Sequence, residues 1–501
     1  MSALSVRQVR RRYLVLHGLR WLPVGLTIPI FILLMQERGL TLTQIGLAVA
    51  AQGAVVLALE LPTGGFADAL GRKPVLVVAS LVGLVSTALL VVADSLALLV
   101  AVWALQGVFR ALDSGPLESW YVDSTLAADP DAAYEKGLGQ GGTVLGLSVA
   151  AGALLSGGLV ALGPLGPVSA LTVPVVVAAV FQMVYLAALL TLLVEGRPAA
   201  GPGALRASIR SAPRMVGEAF GLLRRSRVLL ALVAVELFWG FGMVTFEGLL
   251  PVRLAEVLGD ADRAAALLGP GSTVAWLASA GGAALTPLLI RWLGAAPGAA
   301  LLRIVQGATV VGMALLAGPV GVLVAFFACY AVHGASNPLH MGLLHRQVDG
   351  PYRTSVISVN SMVSMPAGAL GGVLLGFVGD RAGVSTAMLV GAVVLAVAAP
   401  LYLPAAALRG AGEGTGLTWG RRTARAGTSR RPAGCRGRGG PAWRLASRPI
   451  GYIPRRPTGT PTGGTPCSPS PPPRFSASPC CSTCWTPGSA RRTCSTGTPS
   501  C

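Results

Sequence analysis

Charge is what this chain has least of. Only 12% of its 501 residues are Asp, Glu, Lys or Arg, while 53% are hydrophobic. Soluble domains carry roughly 25% charged residues. A soluble chain of this length would fold as two or three domains, each with a charged exterior. The residues for such exteriors are missing, and a bilayer is the solvent that tolerates the shortage. Lysine occurs only as Lys73 and Lys136, against a large arginine excess, and Ala, Gly, Leu and Val dominate. That is the bias of a GC-rich bacterial gene.

Cysteine is scarce as well. Cys329 is the only one in the apolar part, and the other seven follow residue 434, so no disulfide framework holds the fold. Also missing are a nucleotide-binding glycine loop, a metal cluster within the apolar runs and a nucleophile, base and orienter set. An enzyme and a self-contained ATP-driven pump are therefore not expected, nor is a cofactor or a metal.

What the chain does have is apolar runs. Runs of about 20 residues can cross the roughly 30 Å of hydrocarbon as helices. They fall at residues 13–36, 42–64, 74–93, 96–122, 137–162, 168–194, 228–250, 264–290, 298–318, 319–342, 355–379 and 384–408. The first is too long for the core of a signal peptide and lacks a small-residue cleavage site, so it is expected to remain as a span. Residues 195–227 carry Arg206, Arg210, Arg214, Arg224, Arg225 and Arg227 and divide the runs six and six. If every run crosses, Arg7, Arg10, Arg11, Arg12, Arg72, Lys73, this linker, Arg346, Arg353 and Arg409 share one side, which the positive-inside rule makes cytoplasmic. The opposite loops, with Glu37, Arg38, Asp94, Asp380, Arg381 and the mixed group from Arg253 to Arg263, are not strongly basic. Both termini are then cytoplasmic, in a multi-pass protein of a bacterial cell membrane.

The net charge of +19 would suggest nucleic acid if it were evenly spread. It is not: after Arg409 stand fourteen arginines and a single acid, Glu413. Residues 410–501 are Arg-, Pro-, Ser- and Cys-rich, cannot bury a core and are expected to be disordered. The same composition would come from an out-of-frame reading of a GC-rich gene. Cys480, Cys481, Cys484 and Cys494 have no accompanying histidine and neighbouring prolines, which argues against a zinc knuckle. Scattered arginines without interleaved aromatics argue against specific nucleic-acid recognition.

Between the second and third runs the chain reads Glu60-Leu-Pro-Thr-Gly64-Gly-Phe-Ala-Asp68-Ala-Leu-Gly71-Arg72-Lys73-Pro74. This resembles the loop signature of the major facilitator superfamily, matching at Gly64, Asp68, Gly71, Arg72 and Lys73 and departing at Ala69, where the family usually has a basic residue. The resemblance implies an all-α fold of twelve transmembrane helices in two six-helix bundles, here residues 1–194 and 228–409, joined by the basic linker 195–227 and followed by the tail 410–501. It also implies a gating loop that latches the two halves on the cytoplasmic side, with Glu60 nearby, and a monomer. The fourth run, from Gln106 to Asp123, is similar to drug-efflux members, although Trp103 stands where their pattern has an arginine. Arg291 and Gly294 form a weak echo of the loop in the second half.

Ionisable residues inside a membrane are costly, so their placement is informative. They fall in the first run (His17, Arg20), the fourth (Arg110, Asp113, Glu118), the seventh (Glu236, Glu247) and the tenth (His333, His340, with Asn337). In the superfamily these helices line the central cavity. Arg110 and Asp113, three apart, share a helix face and are able to pair. Glu118, Glu236 and Glu247 are candidates for holding a proton or a cationic substrate, and His333 is a candidate to titrate. Each of these side chains would serve equally as a structural partner between helices. The leading expectation is proton-coupled export of a small amphiphilic molecule by alternating access, with lipid, protons and a small solute as partners. Uptake of a nutrient or metabolite is the nearest alternative, and a transport-inactive sensor or scaffold is one of a different class.

Overall fold

The computed structural model describes residues 4–195, 221, 226–347 and 353–407, with the side chains of 60–69, 353–359 and 361 outside the description. The chain is an all-α polytopic membrane protein. Its first half contains α1 (Val6–Thr27), α2 (Phe31–Glu37), α3 (Leu42–Leu70), α4 (Arg72–Val92), α5 (Leu96–Asp113), α6 (Pro116–Ala128), α7 (Glu135–Ala161) and α8 (Val173–Leu192). The second contains α9 (Arg227–Val244), a π-helical turn (Thr245–Leu249), α10 (Leu250–Leu258), α11 (Ala261–Leu293), α12 (Ala295–Leu315), α13 (Pro319–His345), α14 (Arg353–Ala382), α15 (Val384–Val397) and a 3-10 turn (Ala399–Tyr402). Among the described residues eleven helical segments are long and apolar enough to span a membrane, and the pair α1 and α2, bent by 42°, makes a twelfth if counted as one span. Large apolar side chains such as Val320 (73% exposed) and Leu162 (83% exposed) stand on the outer surface, where lipid rather than water suits them. The tail 410–501 lies outside the described residues.

The sequence boundaries shift where local chemistry overrides hydropathy. Helix α1 begins at Val6 rather than at residue 13, because Ser5 and Gln8 form a capping box that starts a helix through the arginine-rich segment. The fourth run is not one helix: Gly115 adopts φ +94°, which favours glycine, and Pro116 opens α6. Arg253 and Glu256, read as loop residues, lie on α10. Arg38 is not a free loop cation; its guanidinium donates to the carbonyls of Leu90 and Ala93 (2.5 Å each) and Val91 (3.1 Å), closing the end of α4.

Among the described residues two helix pairs, α7 with α11 and α3 with α14, make most of the contact between the first half and the second. On α7, Gly139, Gly142, Gly146, Ala150, Ala153 and Gly157 recur every three or four residues and so occupy one face. At one end this face lies against α11: Thr273 Oγ1 donates to the Ala150 carbonyl at 3.1 Å, and a Cβ at Gly157 would lie 2.6 Å from the Ala266 carbonyl oxygen. Further along the same face Gly139, Gly142 and Gly146 meet nothing within 4 Å. On α11, Gly281 also meets nothing and Leu277 is 68% exposed. Helices α3 and α14 behave alike. Gly46 packs directly on the Gly372 backbone, whereas at Gly53 the nearest α14 atoms are 4.0 Å from a Cβ position.

The apolar core divides in the same way. One cluster draws on both halves, for example Ile32, Ile45 and Val160 with Phe246, Leu250 and Leu268. The other two are confined to one half each, around Leu229, Leu302 and Tyr402, and around Tyr13, Trp120 and Leu189. Among the described residues the halves are packed together at the end carrying the 38–41 loop, and no shared apolar core joins them at the end carrying Gly71 and Arg346.

Candidate substrate and coupling site

The break between α5 and α6 exposes backbone groups, and Arg20 of α1 answers them. Its Nη2 donates to the Asp113 carbonyl at 3.1 Å, its Nε pairs with the Asp113 carboxylate, and its Nη1 lies 3.3 Å from Glu118 Oε1. His17, one turn earlier on α1, stands 3.6 Å from the same Glu118 oxygen. Asp113 is fully buried and Arg20 nearly so, while the Glu118 side chain is 34% exposed. Tyr13 stacks on Tyr121 at 4.5 Å beneath them. Two carboxylates thus face one guanidinium and one imidazole, an arrangement with room for one proton or cation. The expected partner of Asp113 is replaced: it pairs with Arg20, not with Arg110. Packing against α1 decides this, because Arg20 reaches both the carboxylate and the carbonyl of Asp113 at the end of α5.

Arg110 is exposed and forms no ion pair with a described side chain. The charge it meets is Glu247, on the π-helical turn of the other half. Glu247 also faces the Tyr330 hydroxyl of α13. A π turn carries one extra residue per turn and such turns recur at functional sites; here it presents Glu247 between the halves, and Glu247 is exposed although it lies mid-span.

The other glutamate takes a different place. Glu236 is buried and pairs with His340 (3.2 Å), whose ring contacts Tyr402 (3.0 Å) and Asn360 (3.3 Å). Arg303 of α12, only 2% exposed, reaches Gln306 at 2.9 Å and stands beside Tyr402. These residues lie inside the second half, so Glu236 is a partner in an interhelical network. His333 stacks on Trp239 at 5.6 Å, and Asn337 is exposed one turn away. Arg303 was overlooked in the sequence, although an isolated arginine inside an apolar run is itself a signal. Asn360 and Tyr402 gave none.

In the loop before α4, Gly71 has φ +92°. Arg72 pairs with Asp123 at 2.5 Å, and Lys73 Nζ donates to the Leu190 carbonyl at 2.7 Å. Unforeseen is Glu195, the first linker residue: its carboxylate accepts from the backbone N–H of Arg72 (2.5 Å) and Lys73 (3.3 Å) at the start of α4, where a negative charge meets unpaired donors. The side chains of Glu60 and Asp68, and the surroundings of Gly64, lie outside the described residues.

The sequence profile of the Major Facilitator Superfamily matches residues 14–372. No curated protein sequence matches the chain. Among solved structures, the nucleoside transporter NupG is similar at TM-score 0.66 and 13% identity, over 79% of this chain and 98% of that one. A bacterial homologue of the human lysosomal transporter Spinster, inward-facing and occupied, is similar at TM-score 0.63 and 15% identity over 80% and 96%. A structure described under substrate recognition in proton-dependent oligopeptide transporters follows at 0.59 and 15%, over 80% and 99%. At these identities the likeness is one of fold. With its profile covering most of the apolar helices, the chain belongs to the Major Facilitator Superfamily and is a secondary transmembrane transporter.

Proposed function

We propose that the chain takes up a small metabolite with protons by alternating access, with the Arg20, Asp113, Glu118 and His17 cluster as the coupling site and the space between Arg110 and Glu247 as the substrate site. One observation carries the reading: a single apolar core spans both halves at one end, and two separate cores stand at the other. Two bodies joined only at one end can rock about a site between them. With the arginine-rich side cytoplasmic, the joined end is the outer one and the cavity opens inward.

Uptake is preferred to export on two grounds. Trp103, at the position where efflux relatives carry an arginine, packs edge-on against Phe31 at 5.4 Å and so serves packing. The similar solved proteins are named for nucleosides and for proton-dependent oligopeptides. The test is solute uptake by right-side-out vesicles with an imposed inward proton gradient, for native and Asp113→Asn protein. Gradient-driven accumulation that Asp113→Asn abolishes supports the reading. Accumulation only in inverted vesicles would reverse the direction, and gradient-independent flux in both proteins would remove Asp113 from coupling.

A further inference from the structure

Around Glu247 the second half builds a wall of rings. Phe246 precedes it on the π turn and meets Tyr330 edge-on at 5.8 Å; Tyr330 in turn meets Trp276 at 5.8 Å and His333 at 6.2 Å, and His333 stacks on Trp239. Trp276 is 38% exposed and Trp239 is partly exposed, so ring surface is open beside the carboxylate. Two buried polar atoms in this wall, Trp239 Nε1 and His333 Nδ1, have no hydrogen-bond partner among the described residues.

The charges in the cavity are uneven. Among the described residues Asp113, Glu118 and Glu247 face Arg20 and Arg110, with the His17 imidazole beside Glu118; with that imidazole neutral, one negative charge is in excess when the three carboxylates are ionised. Arg20 is committed to Asp113 and Glu118, so among the described residues the countercharge of Glu247 is Arg110, from the opposite half and without a direct ion pair. A carboxylate amid aromatic faces attracts an organic cation twice over, through the charge and through the ring quadrupoles. We infer that the transported solute is an organic cation, an amine or quaternary ammonium on an apolar or aromatic body, whose head displaces Arg110 from Glu247 and whose body lies along Trp239 and Trp276. This rests on the substrate site proposed above. A ligand hydrogen-bond acceptor near the head would satisfy Trp239 Nε1. Binding would thereby exchange a countercharge held by one half for one that travels, and release the electrostatic tie between the halves.

The test uses purified full-length protein and two probes of nearly equal shape, benzyltrimethylammonium and its uncharged carbon analogue neopentylbenzene, with binding read from tryptophan fluorescence. The cation is expected to bind at least about tenfold more tightly than the neutral probe, Glu247→Gln to erase that difference, and Trp239→Leu to weaken the cation by about tenfold. Arg110→Ala is expected to tighten cation binding, since it removes a competitor; a merely structural arginine would weaken it or change nothing. Equal binding of the two probes, unchanged selectivity in correctly folded Glu247→Gln, or unchanged or weaker binding in Arg110→Ala would each overturn the inference, the last because Arg110 would then not compete with the cation for Glu247. Binding in detergent involves no gradient, so loss of this inference leaves proton-driven transport of another solute standing. Failure of gradient-driven flux with cation selectivity intact would reject the coupling reading alone.

Discussion

Asp113 is buried against Arg20 and shares it with Glu118, so the guanidinium is what makes a charged carboxylate tolerable inside α5. Arg20→Ala strands that charge, and removing one partner of a buried pair costs about 3–5 kcal/mol. It should lower the unfolding midpoint in detergent markedly, whereas the double substitution Arg20→Leu with Asp113→Leu should recover most of the loss while remaining transport-dead. Thermal unfolding of the two proteins distinguishes these outcomes. Gly71 carries a different constraint. Its φ of +92° strains any other residue, and a Cβ there would lie 2.9 Å from the Glu195 carboxylate. Gly71→Ala should therefore destabilise the protein by about 1–3 kcal/mol and loosen the cap on α4. Glu195→Gln keeps the acceptor but loses the charge and should cost less than about 1 kcal/mol, measured in the same melt.

At the scale of elements, the two seams decide which conformation is populated. On α14 the Asp380 carboxylate accepts from the backbone N–H of Leu42 (2.8 Å) and Thr43 (2.9 Å) and from the Thr43 hydroxyl (2.5 Å), at the start of α3. A carboxylate at a helix N-terminus is worth roughly 0.3–1 kcal/mol when exposed, enough to shift the balance between two states a few-fold. Asp380→Asn should raise the reactivity of an engineered thiol at Ala153, which sits in the α7–α11 seam, toward a membrane-impermeant maleimide added outside; unchanged labelling would show that Asp380 does not hold the seam. Conversely, Ala150→Cys with Thr273→Cys, in a chain whose seven tail cysteines are serine, should cross-link under oxidation and stop transport, and a reductant should restore it. The Thr273 side chain already reaches the Ala150 carbonyl at 3.1 Å, so the two positions are neighbours across the seam, and the loss would show that the seam must open in each cycle.

At the scale of the whole molecule, the described helical residues end at 407 and the family match at 372. Ending the chain after Arg409 should leave the transport rate within about twofold of full length, by the argument that secondary transport needs only the two halves and the site between them. A large loss would revive the reading in which the basic tail binds a partner.

What the sequence determined by itself follows from local physics. Apolar runs of fixed length name the spans and the Gly64 to Lys73 signature names the family, because each is a property of consecutive residues. The intramembrane charges on α1, α5, α6, α9, α13 and the π turn were legible for the same reason: they are expensive wherever they point. Where they point was not legible. Arg110 and Asp113 share a helix face in sequence, yet the packing of α1 gives Asp113 to Arg20 and the apposition of the second half gives Arg110 the charge of Glu247. Likewise Glu236 and Glu247 look equivalent in sequence, and only tertiary packing sends one into a closed network with His340 and the other, through a π turn, into the cavity. The glycines of α7 are the same case: Gly157 touches α11 and Gly146 touches nothing, since contact depends on the angle between two helices far apart in the chain, which no local pattern encodes.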